Sequence, residues 1–149
     1  MYEPPFIYFD APHAVSVHDW IIENSGGLHG VINIGQLESI LEHIQNDIYY
    51  PTFEEKLTHL VFSVNKFHAF NDGNKRSSLV LGAFFLELNG FDYCVKKFVI
   101  EMENIVVWLA ENKVSKELLH KIVFSIVYED DFSEELKLQI LQEISKEVL

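Results

Sequence analysis

The stretch from Lys75 to Leu88, KRSSLVLGAFFLEL, is apolar on almost every side when it is drawn as a helix. Its large side chains surround the helix axis and do not keep to one stripe. Such a helix is stable only when neighbouring helices cover it, which is typical of the centre of a bundle. Asn89 and Gly90 supply a C-terminal stop. This segment therefore predicts a helical bundle with a buried central helix.

The rest of the chain supplies amphipathic helices that can surround this centre. Their predicted first turns follow capping residues and precede apolar residues at helical spacing; these caps are Ser16 (with Asp19), Asn33, Thr52, Ser115 and Ser133. A further helix carries Phe98, Met102, Ile105 and Leu109 on one face. The only β element that we expect is one short hairpin near 46–51. Without repeats or a long linker, residues 1–149 are predicted to form a single all-α domain.

The charge balance narrows the range of partners. The chain has 23 acidic residues against 11 lysines and arginines, a formal net charge of −12. A nucleic-acid binder needs a basic stripe, and the sequence has none, which argues against direct nucleic-acid binding. The longest apolar run, residues 79–86, is too short to cross a membrane. With a lone Cys94 and no signal-peptide pattern at the N-terminus, we expect a cytoplasmic protein.

The segment HAFNDGNKRSS, residues 68–78, gathers chemically active residues just before the central helix. Gly73 and Asn74 open that helix, whose free backbone N–H groups and dipole favour an anion such as phosphate. Lys75 and Arg76 add positive charge, and Arg76 is the only arginine in the chain. An arginine fork suits bidentate phosphate binding. The pattern predicts a phosphate-binding helix start.

Two further residues of this segment suit group transfer. Asp72 is a hard carboxylate beside the predicted phosphate site and could hold Mg²⁺. His68 could accept a proton from an attacking hydroxyl near neutral pH. Each piece alone is commonly structural, since a lone histidine near a helix end or an Asp-Gly-Asn turn occurs in many folds. Together they indicate phosphoryl or nucleotidyl transfer, with Phe70 packed inward to fix the loop.

The segment HAFNDGNKR resembles the signature of the Fic/Doc superfamily, whose common form is HPFxxGNGR. It is most similar to the Doc (death-on-curing) branch, in which lysine takes the second glycine position. The likeness extends over residues 16–90 and includes the segments 16–31, 35–44, 50–64 and 84–90. The C-terminal part is similar only in being helical. The resemblance implies a Fic/Doc-like helical bundle.

The resemblance also implies a role for each matching residue. His68 would be the general base, Asp72 the Mg²⁺ ligand, and Gly73, Asn74, Lys75 and Arg76 the phosphate- and nucleotide-binding residues, with ATP and Mg²⁺ as cofactors. Fic proteins usually transfer AMP from ATP to a target hydroxyl. Doc instead phosphorylates a threonine of elongation factor Tu and halts translation.

Departures from the common signature favour the kinase. Lys75 replaces a glycine, and Leu79 stands where many Fic proteins carry a second arginine. An AMP transferase is the alternative enzyme, and a catalytically silent binding protein is the alternative from another class. His18 and Asp19 superficially resemble the paired ligands of HD metal hydrolases, although Asp19 already has an interpretation as a capping residue.

Substrate docking and regulation are implied by the resemblance alone. Ile48, Tyr49 and Tyr50 correspond roughly to the Fic flap, which aligns a target peptide by strand addition, although an ordinary turn with core tyrosines is an equal interpretation. No segment matches the inhibitory motif (S/T)xxxE(G/N) of many Fic proteins. Restraint in trans by a small, Phd-like antitoxin is therefore expected.

Overall fold

The regular structure of the protein is helical. A computed structural model describes residues 5–146, and in this part of the chain it contains a short 3-10 helix, Asp92–Cys94, and seven α-helices: α1 (Ala11–Ser25), α2 (Ile34–His43), α3 (Phe53–Lys66), α4 (Asn74–Leu88), α5 (Val95–Ala110), α6 (Lys116–Tyr128) and α7 (Glu134–Ile144). The predicted all-α class is confirmed. None of these described helices is long and apolar enough to cross a membrane.

Most helix starts lie where the capping residues predicted them. The side chains of Asn33, Thr52, Ser115 and Ser133 each accept a hydrogen bond from a first-turn N–H. The start of the first helix was predicted wrongly. Asp10 caps α1, accepting from His13 N at 2.9 Å, so Ser16 lies inside the helix. Pro12, favourable in a first helical turn, strengthens this earlier start.

The predicted central helix is confirmed. Along α4 only Lys75 and Glu87 are exposed, and the helix packs against α1, α3 and α5. The neighbouring α3 is buried as thoroughly, which its single apolar stripe did not predict. Its Lys56 is wholly buried because the ammonium donates to Ile44 O at 2.8 Å and to Asp47 Oδ1 at 2.7 Å. A buried charge is tolerated when it is hydrogen-bonded in this way.

A second polar contact joins α3 to α6. Lys116 Nζ donates to His59 Nδ1 at 2.9 Å. The Tyr50 ring stacks on His59 with centroids 4.5 Å apart. Burial, with smaller contributions from Lys116 and His43, lowers the pKa of His59 to about 4. His59 is therefore a neutral acceptor at physiological pH.

The expected hairpin near 46–51 is not formed. Asn46 Oδ1 accepts from Ile48 N at 2.9 Å and from Tyr49 N at 3.1 Å, and Tyr50 N donates to Asn46 O at 2.9 Å. An asparagine side chain that occupies successive backbone N–H groups closes a turn and leaves no strand ladder. Residues 5–146 contain no β-strand, only an isolated antiparallel bridge between Val31 and Phe70.

That bridge belongs to the connection that frames the motif. Residues 67–73 join α3 to α4, and residues 28–33 of the connection between α1 and α2 run beside them. Ile32 N and Asn33 N donate to Ala69 O at 2.8 and 3.1 Å, and Asn71 N donates to Gly30 O at 2.9 Å. The α1–α2 connection thus holds the motif loop against the bundle.

Candidate active site

His68 begins the loop in an unusual backbone conformation. Its φ is +50°, a left-handed value that costs a residue other than glycine on the order of 1 kcal/mol. The side chain is exposed, and its Nδ1 lies 3.4 Å from Asn74 Nδ2. This long contact orients the ring without fixing which nitrogen carries the proton. His68 can therefore meet a substrate hydroxyl at the surface of the loop.

Asn74 closes the loop with its side chain. Its Oδ1 accepts from Phe70 N at 3.2 Å and its Nδ2 donates to Phe70 O at 3.0 Å. The side chain is only 7% exposed. The sequence predicted Asn74 as a phosphate-binding residue, but this amide is engaged with Phe70 and positions the loop. Only its backbone N–H remains at the predicted phosphate site.

The start of α4 suits an anion. Gly73 caps the helix with φ +77° and ψ 20°, and it has no side chain that could occupy the first backbone N–H groups. A Cβ at Gly73 would lie 3.1 Å from Ile22 Cδ1. Glycine therefore serves both the left-handed turn and the close approach of α1, and the positive end of the α4 dipole lies at the site.

The Asp72 carboxylate lies beside this helix start. Its Oδ2 accepts from Leu28 N at 3.0 Å and its Oδ1 from Gly73 N at 2.8 Å. These two backbone hydrogen bonds, with help from Arg76, hold the pKa of Asp72 below its ordinary value. The ionised carboxylate keeps lone pairs for a ligand. No group of three or more His, Cys, Asp or Glu side chains in residues 5–146 could form a metal cage.

A Mg²⁺ ion fits this arrangement in one way. It often takes one or two protein carboxylates and completes its shell with phosphate oxygens and waters. Asp72 meets that requirement next to the anion-binding N–H groups. The residues present fit Mg²⁺ held together with a nucleotide, with Asp72 as its protein ligand.

The two predicted cations differ in how they are held. Lys75 is exposed on the first turn of α4. The Arg76 guanidinium donates through Nη1 to Ser25 Oγ and, at 2.8 Å, to Gly26 O. A Cβ at Gly27 would lie 2.7 Å from Asp72 Oδ2 and 3.0 Å from Arg76 Nη2. The turn at the end of α1 thus fits between the predicted metal ligand and the predicted phosphate clamp.

Ile48, Tyr49 and Tyr50 are not brought to this site. They precede α3, whereas His68 follows it, and the 14 residues of that helix correspond to about 20 Å. The connection 28–33 lies beside the motif in their place, with Leu28 and Ile32 63% and 64% exposed. The β-favouring run at 48–50 therefore did not predict which segment lies beside the motif loop, whereas the glycines of residues 26–30 belong to the segment that does.

Sequence reasoning considered His18 only as a superficial metal-ligand pair with Asp19, and it missed the contact of His18 with the motif loop and the role of the turn that follows α1. His18 is wholly buried and contacts the motif loop, and its Nδ1 lies 3.8 Å from Asp19 Oδ1. The available signal was helical spacing, since Ala14, His18, Ile21 and Ile22 are the buried face of α1. In this protein the histidine on the apolar stripe makes a polar contact with Asp72 O.

Comparison with known proteins agrees with this geometry. Residues 8–86 match the model of the Fic/DOC family. That is more than half of the chain, so the protein belongs to the Fic/DOC family, as the motif predicted. A relative is the protein kinase doc of Escherichia phage P1, 36% identical over 80 residues. The alignment covers 51% of this chain and 63% of the phage protein.

Proposed function

We propose that the protein is a Doc-like kinase that transfers the γ-phosphate of ATP to a hydroxyl of a target protein. The observation that carries this proposal is the ionised Asp72 beside the open start of α4, with Arg76 on the other side of Gly27. Phosphoryl transfer depends chiefly on positioning and on charge stabilisation. The similarity to protein kinase doc supports the same reaction.

His68 is proposed as the general base. It takes the proton of the target hydroxyl while the hydroxyl oxygen forms a bond to the γ-phosphorus. The bond from that phosphorus to the β–γ bridging oxygen breaks, and ADP leaves with the electron pair. The α4 backbone N–H groups and Arg76 bind the phosphate charge, and Asp72 would hold Mg²⁺. Bound Mg²⁺ would supply charge neutralisation on the phosphate oxygens.

Two positions on α4 support a kinase over an AMP transferase. The Lys75 side chain projects at the start of the helix where the common signature has glycine. Leu79, one turn later, packs against the hydrophobic core, so it offers no charge to a second phosphate. The helix start therefore carries Lys75 and Arg76 as its cations and departs at two positions from the signature typical of AMP transferases.

The proposed target is elongation factor Tu, as the Doc-type resemblance implies, with inhibition of translation as the result. The exposed apolar side chains of Leu28 and Ile32 lie on the connection that pairs with the motif loop, and that of Ile34 follows at the start of α2. They offer a surface on which a target segment could lie beside His68.

The proposed partner is a small antitoxin with a basic amphipathic helix. A groove of about 1190 Å³ lies between α1, α2 and α4. Its walls are mainly apolar, and Asp10, Glu38 and Glu42 are among its lining residues. An apolar groove with acidic residues suits the apolar face of a helix whose flanks carry lysine or arginine.

The test is a mass spectrum of elongation factor Tu after incubation with the purified protein, ATP and Mg²⁺. We expect a gain of one phosphoryl group, absent with His68→Ala. A gain of a whole AMP would identify an AMP transferase. ATP binding by calorimetry without any modification would point to another target, and absence of both would indicate a silent binding protein.

A further inference from the structure

His18 lies behind the motif loop on the buried face of α1. Its imidazole is 0% exposed and stacks on the Phe70 ring with centroids 4.0 Å apart and planes at 3°. The backbone of Phe70 is also hydrogen-bonded to the Asn74 side chain. The ring of His18 therefore fixes the first half of the loop by its flat face.

The edge of the same ring fixes the second half. His18 Nε2 lies 2.5 Å from Asp72 O. A carbonyl oxygen can only accept, so Nε2 carries the proton and donates. A Cβ at Gly73 would lie 3.5 Å from the same nitrogen, so His18 also borders the left-handed turn. One side chain thus contacts the residues on both sides of Asn71.

The other ring nitrogen shows that this burial is not simple core packing. Nδ1 has no hydrogen-bond partner, and leaving a buried polar atom unpaired is unfavourable. A phenylalanine would fill the same space and stack on Phe70 without that cost. Retaining imidazole here makes sense if the Nε2 donor serves the loop.

We propose that His18 is a positioning residue that holds Asp72 in the orientation required of the Mg²⁺ ligand. The inference rests on the proposed function for the role of Asp72. With its carbonyl held by His18, Asp72 directs its carboxylate to Leu28 N and Gly73 N, and these contacts keep it beside the helix start. His18 itself touches neither nucleotide nor target.

Two substitutions separate the stack from the donor. His18→Phe keeps the aromatic contact and removes the donor, whereas His18→Gln keeps a donor and removes the ring. Glu23→Gln is the matched control, because Glu23 is an exposed residue of the same helix α1, whereas Asp19 lies too close to His18 Nδ1 to serve.

The first readout is amide hydrogen exchange in the full-length protein without nucleotide. With His18→Phe we expect faster exchange at Leu28 and Gly73, whose N–H groups donate to Asp72, and unchanged exchange in α5 and α6. His18→Gln should preserve more of this protection, and Glu23→Gln all of it. Wild-type protection of Leu28 and Gly73 in His18→Phe would overturn the proposal. Should His18→Phe fail to fold, lost protection in His18→Gln would overturn it.

The second readout is calorimetric binding of ATP with and without Mg²⁺. Loss of outer contacts to a metal ligand costs about tenfold or more in metal affinity. We expect His18→Phe to lose a similar factor of the Mg²⁺-dependent affinity while ATP alone binds as in the wild type. An unchanged Mg²⁺ effect would overturn the positioning role. If the wild-type protein shows no ATP binding, the proposed function fails, whereas the exchange experiment still decides whether His18 positions Asp72.

Discussion

Replacing Gly27 by alanine should damage the site and the stability together. The backbone at Gly27 has φ +125°, which strains any residue with a side chain by about 1–3 kcal/mol. The new Cβ would lie 2.7 Å from Asp72 Oδ2, 2.9 Å from Ile22 Cδ1 and 3.0 Å from Arg76 Nη2. The Asp72 carboxylate is held by Leu28 N and the Arg76 guanidinium by Gly26 O and Ser25 Oγ, so neither can move away freely. Overpacking should therefore add about 1–3 kcal/mol to the loss of stability from backbone strain.

Gly30→Ala separates these two contributions. Gly30 has φ +124°, and the nearest atom to its added Cβ would be Asn71 Cβ at 3.7 Å, an ordinary contact. It therefore shares the backbone strain of Gly27→Ala without the clash. Measured by urea unfolding, both variants should lose stability, and Gly27→Ala should lose about 1–3 kcal/mol more.

Nucleotide binding supplies the second half of this test. The clash displaces Asp72 or Arg76, so Mg²⁺-dependent ATP affinity should fall with Gly27→Ala and stay near the wild-type value with Gly30→Ala. Equal stability and equal ATP affinity in the two variants would refute the close fit of this turn between the two charged groups.

Three other substitutions test separate parts of the molecule. His68→Ala should abolish transfer to the target, measured by mass spectrometry. Its free energy of unfolding should change by less than about 1 kcal/mol, because the ring is exposed. An unchanged transfer rate would remove His68 from the mechanism. Arg76→Lys should lower Mg²⁺-dependent ATP affinity by about tenfold, since a point charge cannot bind Ser25 Oγ, Gly26 O and a phosphate together; calorimetry measures this, and wild-type affinity would contradict it. His59 has a folded pKa of about 4, below its unfolded value, so its contribution to stability is complete above about pH 6.5 and is lost as the pH falls toward 4. In that window the free energy of unfolding of the wild type should fall by up to about 1.4 kcal/mol per pH unit relative to His59→Gln. Urea unfolding at several pH values measures this, and parallel pH dependences of the two proteins would show that His59 titrates normally.

Local signals predicted most of the fold. Asn33, Thr52, Ser115 and Ser133 cap the helices that they were expected to cap, because a side-chain cap bonds to a backbone group only three residues away. Local competition also explains the errors. The Asn46 side chain closes a turn where the β-favouring run Ile48-Tyr49-Tyr50 suggested a hairpin, and Asp10 with Pro12 outweighs Ser16 as a helix start.

Contacts between segments that are distant in the chain could not be predicted from local sequence patterns. Lys56 is buried because the carbonyl of Ile44 and the carboxylate of Asp47 come together around it, and no helical periodicity signals that arrangement. The local pattern showed that Asp72 is chemically suitable, yet its hydrogen bond from Leu28 crosses 44 positions of sequence. The residue types of a site follow from local sequence, and their orientation follows from the folded bundle.

The pairing of residues 28–33 with the motif loop also connects the groove to the site mechanically. This connection joins α1 to α2, and these two helices contribute walls of the groove. A bound helix that separated α1 from α2 would displace this connection, whose Gly30, Ile32 and Asn33 are hydrogen-bonded to the motif loop at Asn71 and Ala69. The partner proposed for the groove would therefore act on the residues next to His68 and Asp72 through the backbone, without covering the nucleotide site.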